Sequence, residues 1–233
     1  MRDVLHYHKD GDPASDHESR VVLDWIGRDR QVLELGCHSG SLARGLARNG
    51  CETTGVDENA QALAVAASHL KRSVAGDLER DETWGALDGE RFGAVTLLHI
   101  LEHLRAPDEA LRRARDHVTD SGMVVIALPN VSNAHNRLAI LRGRFDDTDH
   151  GVMDRTHLRF FTQRTARALI ADAGLEITDY AAPLRVSPLA ELADHLPLLH
   201  RARFMLARRR PFQRCFSAGL TDVVMLFRCR VAR

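Results

Sequence analysis

The sequence predicts an α/β protein, a doubly wound parallel sheet with helices on both faces. Three observations carry this. Short apolar runs bounded by turn residues alternate with stretches of helical period. The first run ends in glycine and leads straight into a helical stretch. The 233 residues, 44% of them hydrophobic, are enough for one large domain with a core of ordinary size. Regular strand–helix alternation implies right-handed crossovers between parallel strands.

The elements follow in order. After a polar start, a helix is expected with Val21, Val22, Trp25 and Ile26 on one face. Q-V-L-E-L-G is the first strand, and S-L-A-R-G-L-A-R is a helix stopped by Asn49-Gly50. C-E-T-T-G-V-D is the second strand, and A-Q-A-L-A-V-A-A-S-H-L is an alanine-rich helix. S-V-A-G-D is the third strand and F-G-A-V-T-L-L the fourth. A helix then starts at Pro107, with Asp108 and Glu109 in its first turn, where proline and acids are favoured. G-M-V-V-I-A-L is the fifth strand, ending at Pro129-Asn130. S-N-A-H-N-R-L-A-I-L-R-G reads as helix and F-D-D-T-D-H-G-V-M-D-R as polar loop. Thr162 caps a further helix that ends at Gly174. L-E-I-T-D-Y-A-A and T-D-V-V-M-L-F-R-C-R-V-A are the sixth and seventh strands. The chain is thus expected to be a single domain over residues 1–233, with a lid segment at 1–20 and a helical insert at about 183–218.

Composition narrows the function classes. Lys plus Arg and Asp plus Glu are 32 each, so net charge singles out no partner. Lysine occurs only at Lys9 and Lys71, which reads as a coding bias toward arginine. Cys37, Cys51, Cys215 and Cys229 are scattered, with no C-x-x-C pair, as fits a reduced cytoplasmic protein. The first residues lack the apolar core of a signal peptide, and no run of about 18 apolar residues suggests a membrane span.

The turn after the first strand is E-L-G-C-H-S-G, which gives Glu34, Gly36 and Gly40 the pattern E-x-G-x-x-x-G. Glycines let backbone approach a ligand, and the next helix offers free N–H groups. A dinucleotide fingerprint requires G-x-G-x-x-G, but His38 and Ser41 occupy its second and third glycine positions. Asp57 ends the second strand, 21 residues after Gly36, where a carboxylate accepts from both hydroxyls of a ribose. Asp77 ends the third strand in A-G-D-L, suited to accept from an adenine amino group.

With L-E-H-L after the fourth strand, A-L-P-N at the end of the fifth, and D-R-T-H-L-R-F-F-T beyond it, the chain resembles the class I S-adenosylmethionine-dependent methyltransferases. The resemblance is to the MetW-like and UbiG-like proteins, methyltransferase type 23, and covers residues 20 to 180. It implies a Rossmann-like, seven-stranded sheet whose last strand is antiparallel. It implies S-adenosyl-L-methionine as cofactor and S-adenosyl-L-homocysteine as product. The implied cofactor contacts are the Gly36 loop (Glu34, Cys37, His38, Gly40), Asp57 with Glu58, Asp77 with Leu78, and His99. His38 departs from the small, acidic or glycine residue usual there.

His99, Glu102 and His103 follow the fourth strand at i, i+3 and i+4, at the carboxyl end where open α/β sheets bind ligands. Two uses are open. Some relatives hold a divalent ion at an E-x-x-E-H motif here, which makes His99, Glu102, His103 and His157 candidate ligands. In others the stretch only shapes the cofactor pocket, and no metal is expected. The acid–base use is simpler: an acceptor hydroxyl must lose its proton, and histidine suits that near neutral pH. His157, His103 and His150, in that order, are the candidate bases. Tyr7, in the lid segment, and Asn130, after the fifth strand, are candidate substrate contacts. Phe160 and Phe161 read as core.

The expected function is methyl transfer to an oxygen or nitrogen of a small molecule, in the synthesis of a secondary metabolite, cofactor or glycan. The alternatives are a MetW-like cofactor-binding partner protein without turnover, and a metal-dependent RNA 2′-O-methyltransferase. Six arginines in residues 201–214 suit an anionic acceptor. With aromatics at only 5%, no stacking platform for single-stranded nucleic acid is expected. No membrane partner is expected, and a homodimer is compatible with the sequence.

Overall fold

The structure is a computed structural model and describes residues 16–184 and 220–232. Seven strands form one sheet: β1 (Gln31–Leu35), β2 (Glu52–Asp57), β3 (Arg72–Ala75), β4 (Phe92–Leu98), β5 (Val118–Pro129), β6 (Leu175–Ala181) and β7 (Val224–Val231). Their order is β3-β2-β1-β4-β5-β7-β6. β1 to β5 pair in parallel, while β7 is inserted antiparallel between β5 and β6, with Ile126 opposite Phe227. The doubly wound fold and its antiparallel last strand are as expected from the sequence.

Seven helices accompany the sheet among the described residues: α1 (His17–Ile26), α2 (Ser41–Arg48), α3 (Ala60–Ala66), α4 (Asp81–Gly85), α5 (Pro107–Asp116), α6 (Ala134–Leu141) and α7 (Gln163–Asp172). Side chains alternate faces along each strand, and the core divides accordingly. Val32, Val125 and Leu226 pack with Val22 and Ile26 of α1 and Leu42 and Leu46 of α2. Their strand neighbours Leu33, Ile126 and Phe227 face the other way, onto Trp84 of α4, Leu111 of α5 and Ile170 of α7.

Several elements differ in extent from the expectation. The alanine-rich helix tightens into a 3-10 turn at Ala67–His69. The fifth strand starts four residues early, at Val118, with an irregular register between Phe92 and Ala94. The five-residue helix α4 was not expected; Asp81 and Glu82 in its first turn were its only signal. The Thr162 cap is present, closed by Thr165 in place of the usual acid or amide. Tyr7 and most of the expected insert at 183–218 lie outside the described residues.

Candidate active site

The carboxyl ends of β1, β2 and β4 meet at the turn from β1 into α2. This turn is built on left-handed backbone. Gly36 and Gly40 have φ of 76° and 77°. A Cβ on Gly40 would stand 2.8 Å from the Cβ of Ala66, so only glycine lets α2 begin this close to α3. Asp29, His38 and His99 are the non-glycine residues with positive φ among those described. Two of the three stand at this edge of the sheet, where strained backbone tends to gather around a site.

Asp57 organises the turn. Its Oδ2 accepts the backbone N–H of His38 at 2.7 Å and its Oδ1 that of Asn59 at 2.9 Å. A carboxylate offers about four lone-pair positions. One on each oxygen therefore remains for a pair of vicinal hydroxyls. Glu58, the next residue, is exposed. Asp77, expected to end β3, lies two residues beyond it, with Oδ1 accepting from the Glu79 N–H at 2.8 Å and Oδ2 in a loose 3.8 Å pairing with Arg80. Leu78 is buried, and its carbonyl accepts from the Trp84 indole.

Glu34 sits beneath the turn at 6% exposure. Burial, reinforced by the Asp57 carboxylate and opposed by the Ala43 backbone amide, raises its pKa to about 8. Its Oε2 has no hydrogen-bond partner among the described residues. Cys37 is buried beside both carboxylates, and burial pushes its thiol well above the usual range. A buried, unsatisfied carboxyl next to an aspartate with an acceptor position left on each oxygen fits a nucleoside carrying a cationic amino-acid tail. S-adenosylmethionine is such a molecule.

His99 directly follows β4, with φ 53°. Its Nε2 meets Glu18 Oε1 at 2.7 Å and its Nδ1 faces Glu102 Oε1 at 3.4 Å. Burial acts to lower its pKa, but Glu18 and then Glu102 outweigh it and raise it to about 10, so the ring is cationic at neutral pH. Glu18, in the first turn of α1, did not stand out in the sequence. It is 81 residues from His99, and an acid there reads as an ordinary helix-start residue.

Beyond His99, Glu102, His103 and His157 come together, their ligand atoms all within 4.8 Å of one another. Glu102 is fully buried; among the described residues its carboxylate has no hydrogen bond, only the 3.4 Å ion pair of Oε1 with His99. His103 Nδ1 bonds the Thr156 carbonyl at 3.3 Å and His157 Nδ1 the Val152 carbonyl at 3.1 Å. If these nitrogens carry the protons, both Nε2 atoms are left as acceptors. The two rings stand edge to face, 4.8 Å between centroids. Burial lowers the His157 pKa, helped by His103 and opposed by Glu102. The structure thus unites three of the four candidate ligands and the first two candidate bases. His150 is exposed on the loop that follows α6 and is not in the cluster. Asn130 is fully buried; its Nδ2 donates to the Asp222 carbonyl at 2.8 Å and its Oδ1 accepts from Ser132, so it ties β5 to the start of β7. Phe161 is buried as expected, while Phe160 is 38% exposed, which corrects its reading as core: it follows the cluster on the loop before α7, outside the packed layers.

Comparison with known proteins bears on the family and the fold. A family model described as a methyltransferase domain matches residues 11–180. The chain is similar to the ubiquinone biosynthesis O-methyltransferase of Azorhizobium caulinodans, 30% identical over 185 residues that cover 78% of this chain and 69% of that one. It is 32% identical to the protein of the same name from Azoarcus sp. over 136 residues, 53% of this chain and 58% of the relative, so the match spans little more than half of that relative's length. Among solved structures, a SAM-dependent methyltransferase from Archaeoglobus fulgidus shares the fold at a TM-score of 0.68 and 17% identity, over 97% of each chain. No helix among the described residues is long and apolar enough to cross a membrane. The strand order, the glycine turn with its aspartate and the matching family model all lead to one assignment: this chain belongs to the class I S-adenosylmethionine-dependent methyltransferases.

Proposed function

We propose that the protein transfers a methyl group from S-adenosylmethionine to an oxygen or nitrogen of a small-molecule acceptor. The names of the similar O-methyltransferases favour oxygen. The observation that carries the reading is the Asp57 carboxylate, held by two backbone N–H groups with one acceptor position left on each oxygen. Bound at the glycine turn, S-adenosylmethionine supplies an electrophilic sulfonium methyl. Asp57 accepts from the ribose hydroxyls, Asp77 from the adenine amino group, and Glu34 takes the cationic end of the methionine. The Glu18–His99–Glu102 contacts clasp α1 to the end of β4 beside the cofactor. His157 receives the proton of an acceptor hydroxyl at Nε2, with His103 as the second candidate for that role, and the acceptor's alignment supplies much of the rate.

Calorimetric titration of S-adenosylhomocysteine tests this. Asp57→Ala is expected to weaken binding by about 1.5–3 kcal/mol through the lost charged hydrogen bonds. Unchanged affinity in that variant would remove the reading's main support. Tight binding without S-adenosylhomocysteine release across a panel of hydroxylated and amino acceptors favours a partner protein that does not turn over.

A second reading is favoured by the buried carboxylate of Glu102, whose Oε2 has no partner among the described residues, beside two imidazoles whose Nδ1 atoms rest on carbonyls. Metal-bound histidines are commonly held in this way. Two histidines and one carboxylate suit manganese, iron or zinc better than magnesium. A cation there would orient an acceptor's oxygens. Mn²⁺ titration into the wild type and into Glu102→Gln separates the two readings. Heat that is absent from the variant supports the metal; no heat, and turnover indifferent to chelators, supports the proton-transfer role.

A further inference from the structure

Helix α6 and the loop after it enclose a cavity of about 330 Å³. Its apolar wall is Ala139, Ile140, Phe145 and Met153, with Ile140 and Phe145 about half exposed. Arg142 and Asn136 are among its polar members. Asn136 is 6% exposed, and its side-chain nitrogen has no partner. Arg144 is taken up by Asp146 at 3.1 Å, but the Arg142 guanidinium has no hydrogen-bond or ion-pair partner among the described residues. The cavity is joined to the histidine cluster by ring contacts. Phe145 meets Phe160 at 5.7 Å between centroids, and Phe160 meets His157 at 6.3 Å.

We propose that this cavity is the recognition subsite for the acceptor and that it takes a small aromatic or alicyclic carboxylic acid. The ring lies on Ile140, Phe145 and Met153, and the carboxylate meets the Arg142 guanidinium and the Asn136 amide. Three arguments select this class. The volume is at the lower end for small-molecule sites, suited to one or two rings. A planar guanidinium matches a carboxylate in two-point contact. Asp146 on the wall is neutralised by Arg144, which leaves the Arg142 guanidinium as the unpaired cation among the described lining residues, matched to a singly charged anion. The word acceptor rests on the methyltransferase reading; the carboxylate site does not.

The test is ligand-observed NMR titration of the full chain with 4-hydroxybenzoate and with uncharged 4-hydroxybenzamide, in the presence of S-adenosylhomocysteine. The carboxylate is expected to bind about tenfold more tightly, as one charge-assisted contact predicts. Arg142→Gln is expected to erase that preference, and Phe145→Ala to weaken both probes. Calorimetric affinity for S-adenosylhomocysteine should be the same in both variants as in the wild type. Equal binding of the two probes, no binding of either at millimolar concentration, or a preference that survives Arg142→Gln overturns the subsite. A preserved carboxylate preference in a protein that fails to bind S-adenosylhomocysteine would overturn the methyltransferase reading and leave the subsite standing.

Discussion

Glu34 shows how a single residue couples folding, pH and ligand. In the folded, cofactor-free protein its pKa is raised to about 8 from an ordinary value of 4.5, first by burial and then by Asp57. Below about pH 4.5 both folded and unfolded chains hold the proton, and the group contributes no difference. Between about 4.5 and 8 the unfolded chain loses the proton while the folded one keeps it, so stability falls by up to ~1.4 kcal/mol per pH unit. Above about 8 the penalty is constant. Glu34→Gln lacks this term, so its stability relative to wild type should climb from pH 5 to pH 8.5 in urea unfolding. Parallel pH profiles for the two proteins would show that Glu34 is ionised in the folded state. The same residue should release a proton when a cationic methionine tail binds near pH 7, read calorimetrically as a dependence of the binding heat on the buffer's ionisation enthalpy.

At the scale of elements, the start of α2 is the most constrained feature. Gly40 combines positive φ with a Cβ position 2.8 Å from Ala66, whereas Gly89 has the same kind of φ and nothing within 4 Å. Gly89→Ala is therefore expected to cost only the left-handed strain, about 1–2 kcal/mol. Gly40→Ala adds overpacking between α2 and α3 and should cost about 2–4 kcal/mol in all. Under the proposed cofactor site it should also weaken S-adenosylhomocysteine binding, because the N–H groups at the start of α2 move with the helix. Thermal melts and calorimetry of the two variants, side by side, check both claims. Equal losses would mean that the contact with Ala66 relaxes freely.

For the whole molecule, β7 decides whether the sheet closes over its core. It runs antiparallel between β5 and β6, with Phe227 fully buried. Phe227→Ala is expected to cost about 3–5 kcal/mol, a large share of the stability of a typical domain. Arg230→Ala at the exposed end of the same strand removes only the surface pair with Glu176 and should change stability by less than about 1 kcal/mol. Chemical unfolding monitored by circular dichroism distinguishes them. A mild Phe227→Ala would mean that β7 is peripheral to the cooperative unit.

The alternation of elements, the glycine turn and the aspartate that ends β2 were legible in the chain itself, because each depends on local period or on a short fixed spacing. Glycine at 36 and 40 and aspartate at 57 need no distant partner to be recognised. The five-residue helix α4 escaped notice because one turn gives too few positions for a period to appear. What only the tertiary structure decided is which distant side chains meet. Glu18 reaches His99, His103 reaches His157, and Phe145 reaches His157 through Phe160. Those contacts join residues whose separations along the chain carry no pattern. They exist because parallel strands bring their carboxyl ends, and the loops that leave them, to one edge of the sheet.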